Sequence, residues 1–228
     1  MPSWFTESQV INKWQAVEDA KSDGKIPTAE FADACIAIIS VFDKISGMGV
    51  AKSDMLGNAN FISNLAKEQP GSNLQKLIED EIEKAMASGN YKTKKDAGPN
   101  LYTTKATGKK LNATCALTWL CRALIFIKEM IGELTADTSK KLKEAVNDGY
   151  GKSLKPYHGM VVKTIFSTAL KASPSRESFM RNLLDAKKDV PAEEVESTAS
   201  EELNKVVVLL KPLLEANCTF LDEFGVKV

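Results

Sequence analysis

Apolar residues in this chain recur every three or four positions over long stretches, and no useful stretch alternates apolar and polar residues. The first such stretch carries Val10, Ile11, Trp14 and Val17 at the spacing of one helix face. A half-buried strand would instead place an apolar side chain at every second residue. The pattern therefore predicts an all-α fold of about eight helices.

Capping residues, glycines and prolines divide the chain into helical segments. Thr6 is predicted to start the first segment and Gly24 to follow its end. Pro27 and Thr28 start the next. Later segments are predicted at 51–68, 72–88, 111–134, 138–148, 153–172, about 175–186 and about 192–223, the last with a kink at Pro212.

The stretch from 89 to 110 breaks this helical pattern. It is polar, rich in Lys, Thr and Gly, and contains a single acidic residue. We predict a long exposed loop there. Neither an internal repeat nor a linker divides the chain, so residues 1–228 are expected to form one domain.

Composition excludes some classes of partner. Basic and acidic residues both number 30, so the formal net charge is zero, and we expect no nucleic-acid partner because such binding needs a basic field. The N-terminus does not have the pattern of a signal peptide, and no apolar run is long enough to span a bilayer. We therefore expect a cytoplasmic protein.

The cysteines and the histidine do not form a metal-binding pattern. Cys35, Cys115, Cys121 and Cys218 lie singly in apolar helical contexts, with no CxxC pair. We expect free thiols packed in the core and no disulfides. With one histidine, His158, a zinc site is not expected, nor is any other cofactor.

Sequence signatures of enzymes are not found either. GxSxG, phosphate-binding glycine loops and HExxH do not occur. The acidic run at 79–81 falls on the outer face of an amphipathic helix, which is typical of a solvated surface. The chain is therefore not expected to be an enzyme.

Five residues stand out as candidates for a binding site. Asp54 and Asn58 lie one helical turn apart and share a face. Trp119 and Arg122 lie one turn apart in the most apolar helix, where a buried arginine needs a partner such as Asp54. His158 borders an apolar helix. Each also has a structural interpretation, as a surface, core or hydrogen-bonded residue.

Four segments in order along the chain carry a more specific signal: KSDMLGN, ALTWLCRALIFI, GYGKSLKPYHGMVVKTIFSTALKASPSRESF and the terminal FGVKV. From about Phe31 to Val228 the chain resembles the glycolipid transfer protein family. The resemblance implies a two-layer helical sandwich without disulfides. It also implies a non-enzymatic carrier that moves a glycosphingolipid between membranes through transient surface contact.

The resemblance also implies residue roles. Asp54 would accept hydrogen bonds from the ceramide amide and a sugar hydroxyl, and Asn58 would bond sugar hydroxyls. Trp119 would lie under the first sugar, His158 would bond the amide carbonyl, and Arg122 would steady the site, with Tyr150 nearby. The positions expected to line the apolar chain pocket are Phe42, Ile45, Phe61, Phe126, Leu154, Phe166, Leu170, Phe179 and Val228.

Two departures from the family pattern bear on the headgroup. Phe61 stands where glycolipid-binding members usually carry lysine, and Met160 stands where they often carry tryptophan. Asn58 and Trp119 still favour a sugar over a phosphate. Lys52 or the basic 89–110 stretch could replace the sugar-contacting lysine that is missing at position 61. The alternatives are transfer of a ceramide-1-phosphate-type lipid, with the 89–110 stretch supplying charge, and a sphingolipid sensor or adaptor with little transfer. Protein partners, the number of sugars and acyl-chain preference are not predicted.

Overall fold

The computed structural model describes residues 3–102 and 111–228, without the side chain of Tyr102. Within these residues the regular structure is helical, with two isolated bridges, Ser22–Lys25 and Pro27–Asn73. The α-helices are α1 (Trp4–Ser8), α2 (Val10–Asp19), α3 (Thr28–Ile39), α4 (Gly49–Glu68), α5 (Leu74–Ala87), α6 (Lys94–Tyr102), α7 (Ala113–Ala136), α8 (Leu142–Lys152), α9 (Met160–Ala169), α10 (Arg176–Leu184) and α11 (Ala192–Glu223).

The helix α7 lies at the centre of the packing. It contacts α4, α5, α8 and α11, while α3 packs between α2 and α4. Sixteen of its 24 residues are buried, so it is enclosed on nearly all sides rather than along one stripe. The predicted all-α, two-layer organisation is confirmed.

Polar contacts fix where α7 begins. Asn112 caps the helix by accepting a hydrogen bond from the Cys115 backbone N–H at 2.8 Å. Glu81 of α5 accepts from the backbone N–H groups of Ala113 and Thr114 at 2.7 and 2.9 Å. These bonds satisfy the otherwise unpaired N–H groups of the first turn and set the register of the helix.

A glycine allows α7 and α8 to cross closely. A Cβ atom on Gly149 would lie 2.9 Å from the backbone nitrogen of Met130 and 3.1 Å from the carbonyl oxygen of Phe126. Only glycine fits this approach without a shift of backbone. The next residue, Tyr150, is thereby placed against Phe126, with ring centroids 6.5 Å apart.

The prediction of a long loop at 89–110 is wrong for residues 94–102, which form α6. Thr93 and Asp96 start this helix by bonding reciprocally: the Asp96 N–H donates to Thr93 Oγ1 and the Thr93 N–H donates to Asp96 Oδ2. Gly98 and Pro99 made the segment look like a loop. The rest of the predicted loop at 103–110 lies outside the described residues.

Tertiary packing explains the glycine in α6. A Cβ on Gly98 would lie 2.1 Å from the carbonyl oxygen of Phe224, and one on Gly225 would lie 2.9 Å from that of Lys95. The helix thus rests directly on the turn that follows α11. This contact is distant in the chain, so local propensity could not reveal it.

Two predicted helices are divided. The first splits at Gln9, which has left-handed backbone angles, and Ser3 rather than Thr6 caps α1. The segment predicted at 153–172 becomes a 3₁₀ turn (Lys155–Tyr157), α9, and a second 3₁₀ turn (Leu170–Ala172). His158 has extended backbone angles in the gap before α9. The helix α11 is continuous through Pro212.

All four cysteines are free thiols: three are buried and Cys218 is half-buried. Among the residues described, no helix combines the length and apolarity that crossing a bilayer requires.

Candidate functional site

An apolar cavity of about 340 Å³ opens between α4, α7 and α9. We call it the inner cavity. Four of the predicted headgroup residues, Asp54, Asn58, Trp119 and His158, line it. Its other lining residues are Gly47, Met48, Val50, Ala51, Met55, Ala123, Leu154, Tyr157, Gly159, Val162, Ile165, Phe166 and Ala169.

The polar pair on α4 faces this cavity, and Asn58 is only 2% exposed. The Asn58 side-chain N–H donates to the backbone carbonyl of Asp54 at 3.0 Å. Asn58 Oδ1 is buried and accepts no hydrogen bond from the described residues. A buried acceptor without a donor is costly, so this oxygen is poised for a donor on a ligand.

Trp119 and His158 form one wall of the site. Their rings stack with centroids 5.7 Å apart at 21°. The Tyr150 hydroxyl bonds His158 Nδ1 at 3.1 Å, which fixes the orientation of the imidazole. Burial raises the pKa of Tyr150, so its hydroxyl stays neutral and available for this bond.

Arg122 lies behind this wall rather than in the lining of the inner cavity and is 2% exposed. Its Nη2 donates to the carbonyl oxygen of Lys227 at 2.7 Å. Its guanidinium carbon lies 3.4 Å from the ring centroid of Tyr157 and 5.0 Å from that of Trp119. Arg122 therefore positions two aromatic rings of the site. Its pairing with Asp54 stays a prediction.

Tyr157 was not singled out from the sequence, although it lines the cavity. It precedes His158 in the YHG triplet, in the 3₁₀ turn that ends before α9. Its contact with Arg122 joins residues 35 positions apart in the sequence, and no local pattern signals such a contact.

Of the predicted chain-pocket residues, only Leu154 and Phe166 line the inner cavity. The remaining seven do not line it: Phe42, Ile45, Phe61, Phe126, Leu170, Phe179 and Val228. Five of these are at most 3% exposed within the closed core, while Phe61 and Val228 are half-buried against it.

An aromatic stack separates the cavity from that core. The rings of Tyr150 and Phe166 stack with centroids 3.7 Å apart, and Phe126 meets Phe166 edge-on at 5.9 Å. Phe42 stacks on Phe126 at 5.7 Å. We call Tyr150, Phe166, Phe126 and Phe42 the aromatic stack. The roles predicted for Phe42, Phe126 and Phe166 along a lipid chain stay predictions.

A second cavity of about 520 Å³, which we call the outer cleft, adjoins the first. It is lined by Val50, Ser53, Asp54, Gly57, Asn58 and Leu111. Among described residues, no lysine or arginine lines either cavity. Lys52, predicted as a substitute cation, instead pairs with Asp43 at 2.5 Å.

Exposed apolar side chains surround the mouth of the inner cavity. The apolar rim, as we call it, consists of Val50, Tyr157, Met160, Val161, Val162 and Ile165, exposed by 38% to 81%. Four of its members also line the cavity. Residues 149–175 contain four lysines and no acidic residue. Large exposed apolar patches of this kind mark interaction surfaces.

Comparison with known proteins identifies relatives. The family model described as "Glycolipid transfer protein (GLTP)" matches residues 26–185. Glycolipid transfer protein 1 of Arabidopsis thaliana is 30% identical over 73% of this chain and 74% of its own length. Pleckstrin homology domain-containing family A member 8 of Danio rerio is 30% identical over 91% of this chain. The match covers 35% of that protein, so this chain spans about a third of its length.

Solved structures share the fold. HET-C2, a fungal glycolipid transfer protein, superposes with a TM-score of 0.66 at 26% identity, covering 90% of this chain and 88% of its own. The structure describing how FAPP2 selects simple glycosphingolipids superposes with a TM-score of 0.71 at 27% identity, covering 91% of this chain and 90% of its own. Human ceramide-1-phosphate transfer protein, bound to its lipid, superposes at 0.72 and 13% identity, covering 95% of each chain, a likeness of fold alone.

Proposed function

Because the chain belongs to the glycolipid transfer protein family, we propose that it is a non-enzymatic carrier of a sphingolipid with a neutral sugar headgroup. The observation that carries this proposal is one apolar cavity lined by Asp54, Asn58, Trp119 and His158. The buried, unsatisfied Asn58 oxygen in that lining supports a ligand that donates hydrogen bonds.

The polar lining complements a sphingolipid. The amide of such a lipid offers one donor and one acceptor, which suit the Asp54 carboxylate and an imidazole N–H of His158. A sugar hydroxyl would donate to Asn58 Oδ1. The flat face of Trp119 offers an apolar platform for the C–H face of a sugar ring.

A neutral headgroup fits better than a phosphate. Phosphate recognition relies on arginine and lysine, and none lines the described part of either cavity. The Asp54 carboxylate would repel a phosphate in the same place. Sugar hydroxyl groups, in contrast, can donate hydrogen bonds to both the Asp54 carboxylate and Asn58 Oδ1.

Hydrocarbon chains would supply most of the affinity. Each CH₂ buried from water contributes about 0.8 kcal/mol. The inner cavity, at about 340 Å³, is near the small end of ligand pockets, about 300–1,000 Å³. In the proposed complex the aromatic stack therefore rearranges. The seven predicted chain-pocket residues that do not line the inner cavity would then lie along the hydrocarbon chains.

The apolar rim is the proposed membrane contact. It surrounds the mouth through which a lipid would enter, and Lys155, Lys163 and Lys171 beside it form no ion pair within the described residues. Lysine stems can lie along the interface while their charges reach headgroups. We propose reversible attachment of a cytoplasmic protein, and free thiols fit such a reducing compartment.

A vesicle-to-vesicle transfer assay with fluorescent glucosyl- or galactosylceramide tests the carrier function. Asp54→Asn removes the charged acceptor without a large change of shape, and we expect transfer to fall at least about tenfold, since a hydrogen bond to a charged group contributes about 1.5–3 kcal/mol. The matched control is Asp33→Asn, an exposed position on α3, which we expect to leave transfer unchanged.

Three outcomes contradict the proposal when the transfer assay is combined with a measurement of lipid binding by calorimetric titration. Equal transfer by wild type and Asp54→Asn would remove the assigned headgroup site. Tight binding of ceramide 1-phosphate with no binding of monohexosylceramides would establish the phosphosphingolipid alternative instead. Tight glycolipid binding with negligible transfer would indicate a sensor.

A further inference from the structure

Gly57 lies on the surface of the outer cleft, within the 20-residue helix α4. It stands three residues after Asp54 and directly before Asn58. Glycine in a helix interior destabilises the helix relative to alanine. Gly132 of α7 is also a glycine inside a helix, and what distinguishes Gly57 is its place in the lining of the outer cleft.

Neither the backbone angles at position 57 nor the packing of the described residues around it requires a glycine. Gly57 is not among the residues with positive φ, and a Cβ built on it meets no heavy atom of the described residues within 4 Å. Gly98 and Gly149 differ, since a Cβ on either would meet backbone at 2.9 Å or less. With respect to the part of the chain that the structure describes, the bare backbone at Gly57 leaves the space above the cleft unfilled.

The polar groups around that space are acceptors. Asn58 Oδ1 is buried and receives no hydrogen bond from the described residues, and the Asp54 carboxylate lines the same cleft. The Ser53 hydroxyl can accept or donate. Val50 and Leu111 add apolar surface. A ligand with several hydroxyl donors and C–H faces matches this set.

We propose that the outer cleft is a subsite for the part of the headgroup beyond the first sugar, and that Gly57 sets the size accepted there. The inference rests on the proposed carrier function. A neutral, polyhydroxylated extension would lie across the backbone at Gly57, in space that any side chain would occupy.

Binding of soluble short-acyl mono- and dihexosylceramides, measured by isothermal titration calorimetry, tests the subsite. Gly57→Leu should weaken dihexosylceramide binding at least about tenfold, or about 1.4 kcal/mol. Monohexosylceramide binding should change less than about threefold, because in this proposal its single sugar does not enter the outer cleft. A threefold change corresponds to less than half of about 1.4 kcal/mol. Gly57→Ala should show the same selectivity with a smaller effect.

Gly132 provides the matched control. It lies in α7, exposed, and its Cβ would also meet no described heavy atom within 4 Å. Gly132→Ala and Gly57→Ala should both raise Tm, because alanine favours helix, and Gly132→Leu should leave both affinities unchanged. The rise in Tm shows that the variants fold.

The outcomes separate the two proposals. If the wild-type protein binds neither lipid, the carrier function fails and the subsite with it. If it binds monohexosylceramide and not dihexosylceramide, the subsite alone fails. Equal losses for both lipids in Gly57→Leu, or no loss for either, would also overturn the role of Gly57.

Discussion

At the scale of single residues, His158 depends on a neighbour for its orientation. The Tyr150 hydroxyl bonds its Nδ1 atom, and the Tyr150 ring stacks on Phe166 at 3.7 Å. Tyr150 thus contacts both the polar site and the apolar interior. The hydrogen bond and the stacking can be separated by mutation, because phenylalanine keeps the ring and removes the hydroxyl.

We predict that Tyr150→Phe weakens glycolipid binding about three- to tenfold while stability changes by less than about 1 kcal/mol, the usual net contribution of one hydrogen bond. Calorimetric titration and denaturant unfolding measure the two quantities. Tyr91→Phe, at a half-buried tyrosine that lines neither cavity, serves as the control. Wild-type affinity in Tyr150→Phe would contradict the orienting role.

The residues around the inner cavity include four that the sequence predicted and others that it did not. Asp54, Asn58, Trp119 and His158 lie in motifs that resemble a known family, and the structure places all four around one cavity. Tyr157 was missed because its stacking on Arg122 is a tertiary contact. Seven of the predicted chain-pocket residues do not line the inner cavity, and their role along a lipid chain stays a prediction, because a sequence motif does not show how aromatic side chains pack against one another.

At the scale of elements, the crossing of α7 and α8 sets the back of the site. Gly149 allows the backbones to meet and thereby positions Tyr150. Lys140 and Lys152 pair with Glu133 of α7, and hydrogen bonds from these lysines hold the pKa of Glu133 below its usual value. Lys152 is exposed while Lys140 and Glu133 are half-buried, so solvent still screens these pairs and they contribute less than the packing.

We predict that Gly149→Ala destabilises the protein by about 1–3 kcal/mol, the usual cost of forcing extra atoms into a packed contact. Denaturant unfolding gives the value. Gly151→Ala is the matched control, because the same helix there leaves open space among described residues. Alanine should be neutral or stabilising at 151. Equal stability of both variants would contradict the close crossing.

Periodicity predicted most helices because their apolar faces repeat along the chain. The helix α7 begins at Ala113, two residues after the predicted start at 111. Its capping residue, Asn112, is visible in the sequence. The helix α6 was missed because glycine and proline usually break helices, whereas here Gly98 permits contact with Phe224. The first helix splits because the backbone of Gln9 takes left-handed angles, and a glutamine in the sequence does not predict such angles.

At the scale of the whole molecule, charge and apolar exposure are unevenly distributed. The chain has no net charge, yet residues 149–175 carry four lysines and no acid. The same region contributes five of the six residues of the apolar rim. The proposed membrane contact thus lies in a region with a net positive charge, and the rest of the sequence carries the compensating negative charge.

We predict that Val161→Asp reduces vesicle binding and transfer at least about tenfold, because a buried unpaired charge at the interface is costly. Binding of soluble short-acyl lipid should stay unchanged. Val208→Asp on α11 is the control, since Val208 is 71% exposed and Val161 is 72% exposed. Vesicle sedimentation and fluorescence transfer provide the measurements. Equal losses in both variants would contradict a localised docking face.

For the proposed carrier function, the aromatic stack also bears on how a lipid would be released. In this structure the rings of the stack pack against one another beside the inner cavity. In the proposed complex, separating those rings offsets part of the gain from burying lipid chains. The proposed carrier would thereby bring loading and unloading closer to balance, so that a lipid taken up at one membrane could leave at the next.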